Sequence, residues 1–145
     1  MTIRLLSAFD AAEMAEIEKL CFSLPWSLKS VKGELQNPIA RYIGAFDNGK
    51  LVGYAGMQTV TDEGYITNIA VVPEHRRQGL ADRLLAELLI CAAERSLAFV
   101  TLEVRESNTP ARKLYEKYGF AAVGRRKGYY DLPKEDAILM TKELA

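Results

Sequence analysis

The spacing of apolar residues changes period several times along the chain, and each change marks an element. In "DAAEMAEIEKLCF", Met14, Ile17, Leu20 and Cys21 recur at intervals of three and four, which predicts an amphipathic helix after a short strand at Ile3 to Leu6. Asp10 stands where it can cap that helix. "SLKSVKGELQNP" reads as a second short helix, stopped by Asn37 and Pro38. The period then shortens. "RYIGAFDNGKLVGYAGMQTV" is two β-rich runs joined by Asp47, Asn48 and Gly49, a hairpin signal because a type I′ turn requires positive φ. "EGYITNIAVVP" adds a third strand to that meander. From Gly79 to about Arg95 the residues Leu80, Leu84, Leu85, Leu88, Leu89 and Ala92 return to helical spacing, with Asp82, Arg83, Glu87 and Glu94 off that stripe. "AFVTLEV" is a continuous apolar run of the kind buried on both faces. "TPARKLYEKYGF" is a helix with Pro110 in its first turn and Gly119 as its stop, and two strands close the chain near Ala122 to Tyr130 and Asp136 to Glu143.

The order β, α, α, β, β, β, α, β, α, β, β predicts an α/β (α+β) layer structure, a mixed sheet with helices on both faces. With 145 residues, 49% of them hydrophobic, the chain can bury one core, and no repeat or linker divides it, so a single domain over 1–145 is expected.

Charge narrows the function classes. Nineteen basic residues balance nineteen acidic ones, which removes any global electrostatic case for binding nucleic acid or an anionic membrane. No run reaches the roughly 18 to 20 apolar residues of a membrane span, and the first residues lack the pattern of an export signal, so a cytoplasmic location is expected. Cys21 and Cys91 have neither CxxC spacing nor a histidine cluster, which argues against a disulfide framework and a zinc site and for two buried, reduced thiols.

The chemistry begins at "VVPEHRRQGLADRLL". A strand end, a tight loop and a helix starting near Gly79 leave the first helical N-H groups without internal partners, and the helix dipole adds about half a positive charge there. Such a terminus favours an anion, phosphate above all. Gly79, lacking Cβ, would admit a ligand close to the backbone and tolerate unusual dihedrals in exchange for a helix cost of about 1 kcal/mol. A basic loop in which Gly79 is only punctuation is equally consistent with the spacing. The stretch has neither the GK[ST] of a P-loop nor a three-glycine dinucleotide fingerprint.

"RRQGLA" resembles the Q/R-x-x-G-x-G/A signature of the GNAT acetyltransferase superfamily, with Arg76, Gly79 and Ala81 in the signature places. "NTPARKLYEKYGF" is similar to that family's N-x-x-A-x-x-L-Y-x-x-x-G-F segment, matching at Asn108, Ala111, Leu114, Tyr115, Gly119 and Phe120. "PWS" at Pro25 to Ser27, "TNIAV", "LEVRESN", "RRKGYY" and "EDAILM" resemble the members that acetylate the N-terminal alanine of a small-subunit ribosomal protein. The likeness covers essentially the whole chain. It implies a mixed, mostly antiparallel sheet of about seven strands with about four helices on its two faces. It also implies acetyl coenzyme A as cosubstrate and no metal, with a protein N-terminus as acceptor, taken in direct attack within a ternary complex.

Residue by residue, the resemblance implies a pyrophosphate site at Arg76, Arg77, Gln78, Gly79, Leu80, Ala81 and Asp82. Ile69, Ala70 and Val71, on a strand splayed from its parallel neighbour, would line the acetyl and pantetheine arm. Asn108 would bond the cofactor, cap the helix that follows, or both. Acetyl transfer to an amine needs a neutral amine, a polarised carbonyl and a proton for the departing thiolate. Glu103 matches the proton acceptor and Tyr115 the proton donor. On its own, Glu103 reads either as a base made less acidic by burial or as a carboxylate paired with Arg105 or another cation. Tyr115 reads as a core ring, as does Tyr118. Trp26, Tyr129 and Tyr130 are large aromatics in turn-like contexts that either wall a peptide cleft or cover the core. His75, the sole histidine, falls in a loop expected to be exposed and is given no role. Cys91 falls on the apolar side of its helix, and no covalent acetyl-cysteine is expected. The rival functions are acetylation of lysine or a small amine, and a non-catalytic module that binds acyl coenzyme A.

Overall fold

A computed structural model describes residues 1–144. Seven strands form one sheet: β1 (Thr2–Leu5), β2 (Ala40–Asp47), β3 (Lys50–Val60), β4 (Glu63–Val71), β5 (Phe99–Arg105), β6 (Ala121–Tyr130) and β7 (Glu135–Glu143). They lie in the order β1-β2-β3-β4-β5-β7-β6. Four helices flank them: α1 (Ala11–Cys21), α2 (Leu28–Leu35), α3 (Leu80–Glu94) and α4 (Thr109–Lys117). The fold class and the sequence of elements are as the patterning predicts.

The local reasons are visible in each connection. Asn48 and Gly49 both take positive φ, 51° and 80°, which gives the β2–β3 turn the twist a two-residue hairpin needs. Ser27 caps α2 by accepting from Ser30 N-H at 3.1 Å, and Gly119 ends α4 at φ 93°. Neighbouring residues of β3 point to opposite faces: the Tyr54 hydroxyl meets Glu18 of α1, while a Cβ on Gly53 would touch Leu84 of α3. Helices α1 and α3 therefore cover opposite faces of the sheet. Met14, Tyr54, Met57, Leu84, Leu85, Leu88, Leu102 and Met140 are fully buried between these layers.

Three expectations are corrected. Asp10 does not cap α1 with its side chain; its carboxylate accepts from Ser7 N-H at 2.9 Å and pairs with Arg4, closing a capping box on a preceding 3-10 turn. Leu20 is 59% exposed, and the inward position beside Ile17 is held by Glu18. β5 alternates buried and half-buried residues instead of being covered on both faces, and the sheet opens beside its second half.

That opening organises the molecule. Among the described residues β4 and β5 are the one parallel pair, matched only at Glu63 with Phe99, Gly64 with Val100 and Tyr65 with Thr101. Beyond Tyr65 the strands part. The register of β3 against β4 slips at the same level, with Met57 opposite Ile66 and Gly56 opposite Asn68, so Thr67 is an extra residue that bends β4. The Tyr42 ring lies over Gly56, where a Cβ would collide with it, and the Tyr42 hydroxyl meets Thr67 Oγ1 at 2.8 Å.

Candidate active site

The wedge between β4 and β5 opens into a cavity of about 800 Å³, lined by Glu18, Trp26, Tyr65, Asn68, Ile69, Glu103, Asn108, Tyr115, Tyr129 and Tyr130 among others. At its upper edge Val72 N-H donates to Val52 O of β3 at 2.9 Å. Alternation along an antiparallel pair then turns Asn68 and Ala70 toward β3 and the N-H groups of Ile69 and Val71 toward the wedge. Val71 O faces away from β3 and accepts from Arg76 Nε at 2.9 Å. Of the three residues expected to present backbone groups, Ala70 is therefore directed elsewhere, with a buried methyl.

The loop after β4 makes a 3-10 turn at Pro73–His75 and enters α3 through two left-handed residues, Arg77 at φ 62° and Gly79 at φ 75°. The first bond of the α3 ladder is Arg83 N-H to Gly79 O at 3.1 Å, which leaves the N-H groups of Leu80, Ala81 and Asp82 without an intrahelical partner. No side chain caps this end. A Cβ on Gly79 would meet nothing within 4 Å, so the glycine answers to its dihedral and to open space before the helix. An uncapped helix start facing open space fits a diphosphate.

Side chains around the loop are committed to holding it. Arg76 reaches back to Val71 O and toward the Cys21 thiol at 3.6 Å. Asp82 receives Lys117 Nζ at 2.5 Å, tying α3 to α4. Gln78 reaches Glu74 O at 3.4 Å. His75 is half-buried and paired with Asp47 at 2.9 Å, contrary to the exposed position expected; it pins the loop to the end of β2 and lies outside the cavity. Cys21 and Cys91 are free thiols on the flanks of their helices, only partly buried.

On the β5 side, the Glu103 carboxylate accepts from the Tyr65 hydroxyl and pairs with Arg126 Nε at 3.1 Å. Its partner is thus Arg126 and not Arg105, which binds Glu135. The Glu103 side chain is 7% exposed, and its setting is polar, so burial and pairing with a cation occur together. Burial first, then the Glu103 carboxylate, holds the Tyr65 phenol well above its ordinary range.

Asn108 caps α4, Oδ1 accepting from Ala111 N-H at 3.3 Å, and also lines the cavity. Tyr115 packs against Phe120 at 5.6 Å between ring centroids and is 7% exposed. Burial, followed by the nearby Tyr130 phenol, raises its pKa far above that of free tyrosine, so it stays protonated at neutral pH. Tyr129 and Tyr130 meet edge-on at 5.0 Å, and Arg105 stacks on Tyr130 at 4.4 Å. Burial, with neighbouring acidic groups, pushes Tyr130 up to about 12. Tyr118 packs on the core and reaches Asp82.

Two residues of the cavity escape sequence reasoning: Tyr65 and Glu18. Tyr65 gives no local sign of meeting a carboxylate 38 positions away. Glu18 carries a faint signal, falling four residues after Met14 on the inward face of α1.

A splayed parallel pair, a buried phenol and a carboxylate line one cavity, and an uncapped helix start follows the strand that borders it, an arrangement suited to acyl transfer. Residues 11–120 match the acetyltransferase (GNAT) family, and the chain belongs to that family, whose members use acetyl coenzyme A. It is 38% identical over 143 residues to the ribosomal protein bS18-alanine N-acetyltransferase of Escherichia coli, covering 96% of this chain and 95% of that protein. It is 38% identical over 140 residues to the same-named protein of Haemophilus influenzae, covering 93% of each. The crystal structure of the ribosomal-protein-S18-alanine N-acetyltransferase from Escherichia coli superposes with a TM-score of 0.93 at 36% identity, over 99% of this chain and 94% of that one.

Proposed function

We propose that the chain transfers the acetyl group of acetyl coenzyme A to the α-amine of a protein N-terminus, the N-terminal alanine of a small-subunit ribosomal protein. The observation that carries this reading is the meeting of Glu103 and Tyr115 on one cavity bordered by β4, the strand that leads into the uncapped start of α3. The names of relatives aligned along nearly the whole chain support the acceptor.

In this reading the N-H groups of Leu80, Ala81 and Asp82, with the backbone from Arg77 through Gly79, hold the pyrophosphate, and Arg76 acts by bracing their loop. Asn108 and the free edge of β4 hold the pantetheine arm. Glu103 takes the proton of the α-ammonium, directly or through one water. The α-amine has a reference pKa of about 7.7 to 8.0, so removal of its proton near neutral pH is a modest task. The freed nitrogen attacks the thioester carbonyl carbon, and the N-H groups of Ile69 and Val71 donate to the oxygen as it gains charge. As the C–S bond breaks, Tyr115 passes its proton to the sulfur, the attacking nitrogen sheds its second proton, which restores the Tyr115 phenol through solvent, and the neutral amide remains on the acceptor. Trp26, Tyr129 and Tyr130 wall the entrance for the acceptor. The reaction takes place at protein residues alone, in the cytoplasm, with no metal.

The test is to incubate the protein with acetyl coenzyme A and peptides with free or blocked N-termini, spermine and aminoglycosides, and to locate the acetyl group by mass spectrometry. Acetylation of a free N-terminal alanine supports the reading. Modification of a blocked peptide at lysine, with none at a free alanine, would sink it.

A further inference from the structure

Glu18 is 1% exposed, yet no cation pairs with it among the described residues. Buried carboxylates without a counter-ion are costly and rare unless hydrogen bonds compensate them. Here three donors converge on it. Trp26 N-H donates to Oε1 at 2.9 Å, and the Tyr54 hydroxyl and Asn68 Nδ2, the latter at 3.4 Å, donate to Oε2. Three donors suit an ionised carboxylate, which only accepts. Tyr54 remains a donor because burial, then the charge of Glu18, holds its phenol far above the ordinary value. The donors leave one of about four acceptor positions unfilled, on Oε1. Glu18 also lines the same cavity as Glu103 and Tyr115.

We propose that Glu18 is an acceptor-recognition residue: its unpaired negative charge holds the incoming α-ammonium, while its other bonds fix Trp26 and Asn68 around that position. The proposal rests on the acetyl-transfer reading above. An amine N-H can donate to Oε1 both before and after its proton leaves for Glu103, so the bond persists from bound substrate into the transition state. Interactions of that kind act on KM and leave kcat nearly unchanged. The charge also discriminates, since a ligand without a cationic terminus leaves the carboxylate unpaired.

The experiment compares wild-type protein with Glu18→Gln, which can still accept from Trp26 N-H and engage Tyr54 but carries no charge. Wild-type transfer to a free-alanine peptide is measured first; its absence overturns the functional reading and not this one. With transfer established, Glu18→Gln is expected to melt close to wild type and to raise KM for the peptide roughly tenfold, as for loss of a charge-assisted hydrogen bond. Its kcat should stay within about threefold, with KM for acetyl coenzyme A unchanged, and Glu18→Asp should recover part of the affinity. A well-folded Glu18→Gln with wild-type peptide KM overturns the proposal, as does a loss confined to kcat. If Glu18→Gln does not fold, calorimetry decides on a coenzyme A-loaded protein in which the two other carboxylates lining the cavity, Glu103 and Asp131, are neutralised as Glu103→Gln and Asp131→Asn. There the peptide should bind roughly tenfold more tightly than its analogue with hydrogen in place of the α-amine; equal binding overturns the proposal.

Discussion

Tyr65 donates its phenol hydrogen to Glu103 at the level where β4 and β5 cease to pair. The contact joins the last matched residue of one strand to the carboxylate of the other, so the opening of the sheet and the aim of that carboxylate are set together. Tyr65→Phe keeps the ring and removes only the donor. A hydrogen bond to a charged group contributes about 1.5 to 3 kcal/mol, so kcat/KM should fall roughly tenfold to a hundredfold while the melting temperature moves by only a few degrees. Steady-state kinetics with thermal denaturation checks this, and unchanged kinetics would show that Arg126 alone suffices to aim Glu103.

Glu103→Gln and Tyr115→Phe separate chemistry from binding. In the proposed reading each removes a proton-transfer group, of a kind that contributes typically 10² to 10⁴ in rate, and neither belongs to the start of α3. Turnover should collapse in both. Acetyl coenzyme A at about 100 times its dissociation constant should still stabilise each variant by roughly 2.7 kcal/mol, as for wild type. Differential scanning fluorimetry beside a turnover assay reads both quantities; loss of the thermal shift in Glu103→Gln would place Glu103 in binding instead.

Short-range physics made much of this legible. The turn at Asn48 and Gly49 and the entry to α3 at Gly79 each depend on a dihedral that a single residue type favours, and the alternating periods of the chain set the order of its elements. The functional details that stayed hidden are long-range or two-sided. Glu103 could be read as a base or as half of an ion pair, and it is ion-paired, but with a residue 23 positions on, reached across β7. Glu18 interrupts an apolar face, and nothing near it in sequence announces that Tyr54 and Asn68, on two different strands, would meet its charge. Arg76 matched a signature, but its side chain folds back to Val71 O, a choice decided by where β4 ends.

Stability should fall on the alkaline side. Tyr42, Tyr54, Tyr65 and Tyr115 all have phenols raised above the ordinary value, burial being the largest cause in each. In the unfolded chain they release protons near pH 10, while the folded chain retains them. The unfolded state therefore binds fewer protons above that point, and unfolding becomes easier as pH rises. Below about pH 10 both states hold these protons and the contribution is flat. Denaturant melts at a series of pH values should show a midpoint that falls more steeply above about pH 10 than below it, where, of the groups raised by burial, the partly buried Cys21 thiol alone contributes; a midpoint that holds or rises above about pH 10 contradicts the burial of these phenols.

Gly79→Ala isolates the helix start. A residue with Cβ at φ 75° pays roughly 1 to 2 kcal/mol for the left-handed conformation, but no protein atom stands within 4 Å of the new methyl. The variant should therefore fold, with a melting temperature lowered by several degrees. Its larger effect should be on the cosubstrate, because the methyl would project into the space faced by the uncapped N-H groups of Leu80, Ala81 and Asp82. A rise of about tenfold or more in the acetyl coenzyme A dissociation constant, equivalent to roughly 1.4 kcal/mol, with kcat at saturation nearly retained, is the expected outcome of calorimetry and kinetics together. Wild-type affinity in a destabilised Gly79→Ala would mean that the glycine serves the turn alone.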